Sequence, residues 1–168
     1  SMQPPMVCSP TENPQWFAAT LGGLGLTGVI TWVALRLRKI QSSLIDTTRV
    51  RFDGLDDFFA LSAEMDGRHE YSVAWIDCLA RGSAQGRGVF TAGDHRETGA
   101  LQAAVPRSLH MPIRPPVSLI NPLTLKLFNR HYWKRQPATR QCQTVAYSPF
   151  FYPLDRIEHW NRIYGRKG

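Results

Sequence analysis

The apolar positions of this chain change period several times, and each change predicts an element. Trp16, Phe17 and Thr20 share one face at helical spacing. Ser9 or Thr11 suits the cap and Pro10 or Pro14 the first turn, so residues 8–21 read as a short helix. Gly22, Gly23, Gly25 and Gly28 then predict a tight, buried turn. After Gly28 the period falls to two. Val29, Thr31, Val33, Leu35 and Leu37 form one row; Ile30, Trp32, Ala34, Arg36 and Arg38 form the other. That pattern predicts a strand leaving a core between about Gly28 and Leu37. Residues 46–52 extend into another short strand. Asp53 reads as the cap of a helix carrying Leu55, Phe58, Phe59, Ser62 and Met65, which Gly67 ends. Tyr71 to Ala80 is a dense run with Val, Trp and Ile, long enough for a central strand. A turn over Arg81–Gly86 leads to a hairpin partner over Arg87–Ala92. From Glu97 to Pro116 four prolines forbid a long helix or ladder. A helix over Asn121–Trp133, a strand over Gln143–Phe151 and a last helix capped by Asp155, with Ile157, Trp160 and Tyr164 on one side, complete the pattern.

Composition narrows the class. The 168 residues are 43% hydrophobic and 20% charged, which excludes global disorder and a coiled coil. Gly 13 and Pro 12 argue against an all-helical bundle, leaving a mixed α+β domain. Lys+Arg 20 against Asp+Glu 13 gives +7, a field that favours anionic partners: phosphate, nucleic acid or an anionic membrane face. Cys8, Cys78 and Cys142 stand far apart and make neither a disulfide framework nor a C-x-x-C metal pattern; they read as reduced thiols in a reducing compartment. Both ends read as cut. Ser1-Met2 has the form of a cleaved tag's remnant, and no stop signal follows Gly165-Arg166-Lys167-Gly168. The stretch Trp16–Leu35 has no charge and is long enough to span a bilayer. Its glycines and Thr20, Thr27 and Thr31 favour the turn-and-strand reading over a span.

Candidate chemistry is sparse. Gly23-Leu24-Gly25-Leu26-Thr27-Gly28 matches G-x-G-x-x-G, but a dinucleotide fingerprint needs a strand before it and a helix after, and the order here is reversed. The turn's backbone N–H groups still suit an anion. His69, His95, His110, His131 and His159 lack metal-ligand spacing, and no serine-hydrolase elbow is present. Asp94-His95 reads as an exposed turn or as a carboxylate orienting an imidazole. Arg130 to Arg140, with Tyr132 and Trp133 interleaved, reads as a solvated helix end or as a contact for phosphates. Asp77, two residues after Trp75 on a probable core strand, requires a partner, and Arg87 on the neighbouring strand is the candidate.

Four segments together resemble one family. NPQWFAATLGGLGLTGVI (13–30) is similar to the end of the flavin-binding domain of FAD-dependent oxidoreductases of the vanillyl-alcohol oxidase type. YSVAWID (71–77), followed by Gly86-Arg87-Gly88, is similar to the sheet of their substrate domain. Leu119–Trp133 resembles the variable segment that follows, and YPLDRIEHWNRIYGRKG (152–168) resembles a P-L-D-x-x-x-x-W-N-R-x-Y-G signature. Within that family the resemblance runs to decaprenylphosphoryl-ribose 2-oxidases and, more loosely, to sugar-lactone oxidases.

The resemblance implies an α+β fold: an antiparallel sheet with helices packed on one side, as the partial substrate domain of a flavin oxidase. Residues 1–40 correspond to the C-terminal remnant of the FAD-binding domain, and 41–168 to the N-terminal half of the substrate domain. FAD is the implied cofactor, with Gly25, Leu26, Gly28 and Ile30 along it. Trp75, Phe151, Leu154 and Arg162 are implied around the substrate, a sugar or a sugar-phosphate-lipid; Phe151 stands where the nearest members carry a tyrosine. No residue of the chain is implied as catalytic and none as a metal ligand. The implied activity is oxidation of a sugar alcohol by hydride transfer to flavin, in the cytoplasm or against the inner membrane's face. The piece alone is expected to be inactive, and its unpaired strand edges to recruit a second copy. The alternative is a non-catalytic basic module that binds anionic membrane or nucleic acid, although no specific nucleic acid is expected.

Overall fold

The computed structural model describes residues 5–102, 109–153 and 157–166. The chain forms two compact units, Ser1–Lys39 and Ile40–Gly168. In the first, α1 spans Pro14–Thr20, with Pro14 in its opening turn where a missing N–H costs nothing. It is shorter than the helix expected over residues 8–21. Ser9 ends the preceding stretch instead, its Oγ accepting from the N–H groups of Thr11 and Glu12 at 3.2 and 2.9 Å. The strand expected from Gly28 to Leu37 is not formed. Residues 28–40 form no helix and pair with no strand among the described residues, and Val29, Val33 and Leu37 are exposed. Alternation sets up two rows of side chains, but only a ladder partner makes a strand of them.

The second unit is built on a four-stranded antiparallel sheet in the order β2-β3-β1-β5. Its strands are β1 (Leu44–Phe52), β2 (Tyr71–Ile76), β3 (Gly88–His95) and β5 (Gln141–Ala146). The α+β class with an antiparallel sheet is the one expected. The order within the sheet is not. The 71–80 run is a six-residue edge strand, and the buried centre is β3 paired with β1. The hairpin of β2 and β3 holds as expected, with Ala74 opposite Phe90 and Trp75 opposite Val89.

One face of the sheet carries Val50, Phe52, Phe90 and Ala92. These pack with Met65, Phe58 and Leu61 of α2 (Leu55–Met65) and with Ala74 and Ile76. Phe58 bridges Phe52 and Phe90, at ring separations of 5.7 and 6.1 Å. Gly54 caps α2 rather than Asp53, whose own N–H is met by the Asp57 carboxylate. Gly88 is required by close packing: a Cβ there would lie 2.3 Å from both the Phe52 ring and the Trp75 carbonyl.

Two helices flank β5. Helix α3 (Pro122–Lys134) opens with a capping box, Asn121 Oδ1 accepting from Leu123 and Thr124 N–H while Thr124 Oγ1 takes the Asn121 N–H. The strand expected over 143–151 ends at Ala146, and Tyr147–Phe151 forms the short helix α4. Pro149 lacks the N–H a ladder needs, and its fixed φ suits a first helical turn. A two-residue parallel pair, β4 (Leu109–His110) with β6 (Ile157–Glu158), stands apart from the main sheet. The expected last helix is replaced by β6 and a 3-10 turn over Trp160–Tyr164, separated by His159 in a left-handed conformation at φ 57°. Asp155, its expected cap, lies outside the described residues.

Candidate functional site

The glycine turn follows α1 directly, so a helix precedes the G-x-G-x-x-G match and no helix follows it among residues 28–40. This is the reverse of a dinucleotide fingerprint. The turn is open rather than buried: Leu24 is 91% exposed and Leu26 87%. Gly23 is a close-approach glycine, since a Cβ there would meet the Ala19 carbonyl at 2.3 Å. Gly25 and Gly28 have positive φ, 76° and 145°, with open space where a side chain would stand. Thr20 and Thr27 join their hydroxyls across the turn at 3.0 Å. Ile30, beyond the turn, is also exposed. Left-handed glycines with free space let a phosphate or a flat ring approach the backbone, and Leu26 and Ile30 offer it apolar contact. Among the described residues no helix is long and apolar enough to cross a membrane.

In the second unit, the sheet face opposite the α2 core carries Tyr71, Trp75, Val89, Thr91, His95, Ile45, Thr47, Arg49 and Arg51, by strand register. Near one end of this face, α3 makes contact. The Trp75 and Tyr132 rings meet edge-on at 4.9 Å, and Trp133 Nε1 donates to the Phe52 carbonyl at 3.1 Å. The guanidinium groups of Arg51 and Arg87 lie 4.5 and 5.2 Å from the Trp133 ring. Beside them Asp77 is 2% exposed and fully satisfied. Arg87 donates twice to its Oδ2, at 3.0 and 2.7 Å; Asn129 Nδ2 and Leu79 N–H reach Oδ1 at 2.8 and 3.2 Å. Burial pushes this carboxyl up, but the hydrogen bonds and the Arg87 charge outweigh burial and hold it below its ordinary value. Arg87 is the partner that the sequence required.

At the other end of the face, Phe151 of α4 meets Tyr71 edge-on at 4.9 Å and lies 6.5 Å from the His95 ring. Trp75 and Phe151 thus contact the same face through residues four positions apart on β2, roughly 13 Å along a strand. Arg162 joins neither. Its Nη1 donates to the Met111 carbonyl at 2.9 Å and lies 3.5 Å from His110 Nε2, beside the small parallel pair. Leu154 lies outside the described residues.

The adjacent Asp94 and His95 do not form a dyad with each other, because neighbours on a strand point to opposite faces. Asp94 Oδ2 is 2.7 Å from His69 Nδ1, and His95 Nδ1 is 3.0 Å from the Ser42 carbonyl. Neither pairing is visible in the spacing of the sequence. Of the basic stretch 130–140, Arg140 is taken up by the half-buried Glu64, whose carboxyl it holds below the ordinary value through a hydrogen bond and its charge. No group of three His, Cys, Asp or Glu side chains among the described residues is arranged to hold a metal ion.

No protein-family model matches the chain. Curated proteins are similar to it, two of them as follows. One is described as an uncharacterized protein in the mprA 5' region of Streptomyces coelicolor. It is 41% identical over 115 residues, covering 64% of this chain and 31% of that protein. The other is decaprenylphosphoryl-beta-D-ribose oxidase of Mycolicibacterium smegmatis, 26% identical over 162 residues, covering 90% of this chain and 35% of that protein. The chain therefore spans about a third of the length of the curated relatives it matches.

Proposed function

We propose that the chain is part of an FAD-dependent oxidoreductase of the vanillyl-alcohol oxidase type that oxidises a sugar or sugar-derived alcohol. The observation that carries this reading is the similarity to decaprenylphosphoryl-beta-D-ribose oxidase, which runs through 90% of the chain rather than one motif. The open glycine turn supports it. On this reading residues 1–40 belong to a cofactor domain and 41–168 to a substrate domain. Gly25 and Gly28 give the cofactor access to the backbone, and Leu26 and Ile30 pack on it. Bound FAD would supply the acceptor for a hydride from the alcohol carbon. Trp75 and Phe151 wall the substrate, and Leu154 and Arg162 complete the set that the resemblance names, Arg162 supplying a cation for a phosphate. The chain works in the cytoplasm, with the inner membrane's anionic face as a further partner. Its own part is binding and orientation, and the chain alone turns over no sugar alcohol.

The alternative, a basic module binding anionic membrane or nucleic acid, rests on the stretch 130–140, where Arg140 is bound to the Glu64 carboxylate and Arg130, Lys134 and Arg135 are exposed.

Flavin retention tests the reading. The chain is mixed with FAD, free cofactor is removed, and the absorbance of the protein fraction is recorded. Retained flavin that falls in Gly25→Val and Gly28→Val supports the cofactor edge. Retention unchanged in both variants overturns the assignment of those residues, and no retention removes cofactor holding from this chain. Salt-sensitive capture of anionic vesicles by a chain that holds no flavin would favour the alternative.

A further inference from the structure

A shallow depression of about 460 Å³, largely open to solvent, lies at the α4 end of the sheet, lined by Ser43, His95, Gln102, Tyr147, Phe151 and Tyr152 among others. Its size falls in the range of small-molecule sites. We propose that it holds an uncharged, hydroxyl-bearing ring, a monosaccharide unit, with His95 Nε2 accepting a hydroxyl proton. The depression itself is read from the structure alone; the choice of a sugar as the ring rests on the sugar-alcohol reading above.

Three observations point this way. First, the His95 tautomer is fixed. A carbonyl oxygen only accepts, so in the neutral ring the 3.0 Å contact with the buried Ser42 carbonyl puts the proton on Nδ1 and leaves Nε2 as an acceptor. Second, the wall is tied together. Ser43 N–H donates to the Ala100 carbonyl, Gln102 N–H to Ser43 Oγ, and Tyr147 N–H to the Ser43 carbonyl, at 3.2, 2.8 and 3.0 Å. Gly99 packs so closely on Ser42 that a Cβ would lie 2.5 Å from its Oγ. One dipeptide, Ser42-Ser43, thus anchors His95, the 99–102 segment and α4. Third, the described lining residues include no Asp, Glu, Lys or Arg. Aromatic rings offer the apolar face of a sugar ring its contact, while His95, Gln102 and the Ser43 hydroxyl offer neutral hydrogen bonds. Arg162 lies apart from this lining, its Nη1 donating to the Met111 carbonyl beside the β4–β6 pair.

The test is nuclear magnetic resonance on the isotope-labelled 168-residue chain. Histidine nitrogen spectra without ligand are expected to show His95 protonated on Nδ1; the Nε2-protonated tautomer overturns the proposal. Methyl β-D-ribofuranoside is then titrated, with inorganic phosphate and benzyl alcohol as comparators. The expected result is a saturable shift of His95 Nε2 and of Tyr147 and Phe151 signals with the riboside alone. His95→Asn keeps a donor for the Ser42 carbonyl and removes Nε2, and is expected to weaken binding by about two- to tenfold, the worth of one neutral hydrogen bond. Should that variant fail to fold, Tyr152→Ala, at an exposed ring, is expected to weaken binding instead. Benzyl alcohol binding in place of the riboside, or no response to either, overturns the proposal. Riboside shifts confined to Trp75 or Arg162 overturn the pocket and leave the sugar-alcohol reading standing. Flavin retention, measured separately, reports on that reading without reference to His95.

Discussion

Replacing Asp77 by Asn is the most informative single perturbation of the fold. The side chains keep one shape, but an amide N–H₂ or a neutral oxygen now faces the two Arg87 donors that Asp77 Oδ2 accepts at 3.0 and 2.7 Å. Arg87 is only 13% exposed and Asp77 2%, so water does not replace the lost partner. Breaking a buried pair by removing one charge typically costs about 3–5 kcal/mol, because the other charge is left uncompensated. Against a total stability of about 5–15 kcal/mol for a domain, that is a large fraction. Urea unfolding followed by circular dichroism measures it. The double variant Asp77→Asn with Arg87→Met removes the stranded charge and is expected to recover much of the loss, which a purely steric defect would not do. The carboxyl also titrates. Its folded value lies below the ordinary 3.8, so its stabilisation is complete above that value and is lost as pH falls through the folded one. The variant should lack this acid-side slope. A loss below about 1 kcal/mol, with an unchanged slope below pH 4, would refute the buried-pair account.

Further outcomes follow from single features. Asn121→Ala removes the Oδ1 that accepts from the Leu123 and Thr124 N–H groups and should cost about 1 kcal/mol in urea unfolding. Gly88→Ala drives a methyl against the Phe52 ring and the Trp75 carbonyl and should cost about 1–3 kcal/mol, visible as a lower denaturation midpoint. Glu64→Gln breaks a surface pair with Arg140, so its effect should be small and vanish in high salt. Among the described residues β2 and β5 are the outer strands of the main sheet, and residues 29–35 are apolar or uncharged with Val29, Trp32, Val33 and Leu35 exposed. Self-association by edge pairing is expected, and light scattering that gives one chain's mass at every concentration would exclude it.

What the sequence made legible divides along contact distance. Helix α3 could be read within two residues because Asn121 and Pro122 are local start signals. The β2–β3 hairpin and the Asp77–Arg87 pair were legible because ten residues and a turn bring them together. The place of β2 at the edge was not, since a dense apolar run says how much surface wants cover and nothing about which strand supplies it. Here β1, read only as a short strand, took the centre beside β3, its partner from 36 or more residues away along the chain.

The candidate site divides in the same way. Gly23, Gly25 and Gly28 announce a turn by themselves, and its left-handed geometry follows. The His95 depression had no such announcement. Its histidine was noticed only beside Asp94, the one neighbour that strand alternation turns to the other face. Its real partner is a backbone carbonyl at Ser42, 53 residues earlier, and a carbonyl leaves no trace in residue identity. A fixed tautomer built on such a bond is invisible to any motif. Yet it decides whether His95 meets a ligand as donor or acceptor, so the chemistry of this end of the sheet is set by the backbone pairing that the sequence pattern describes least well.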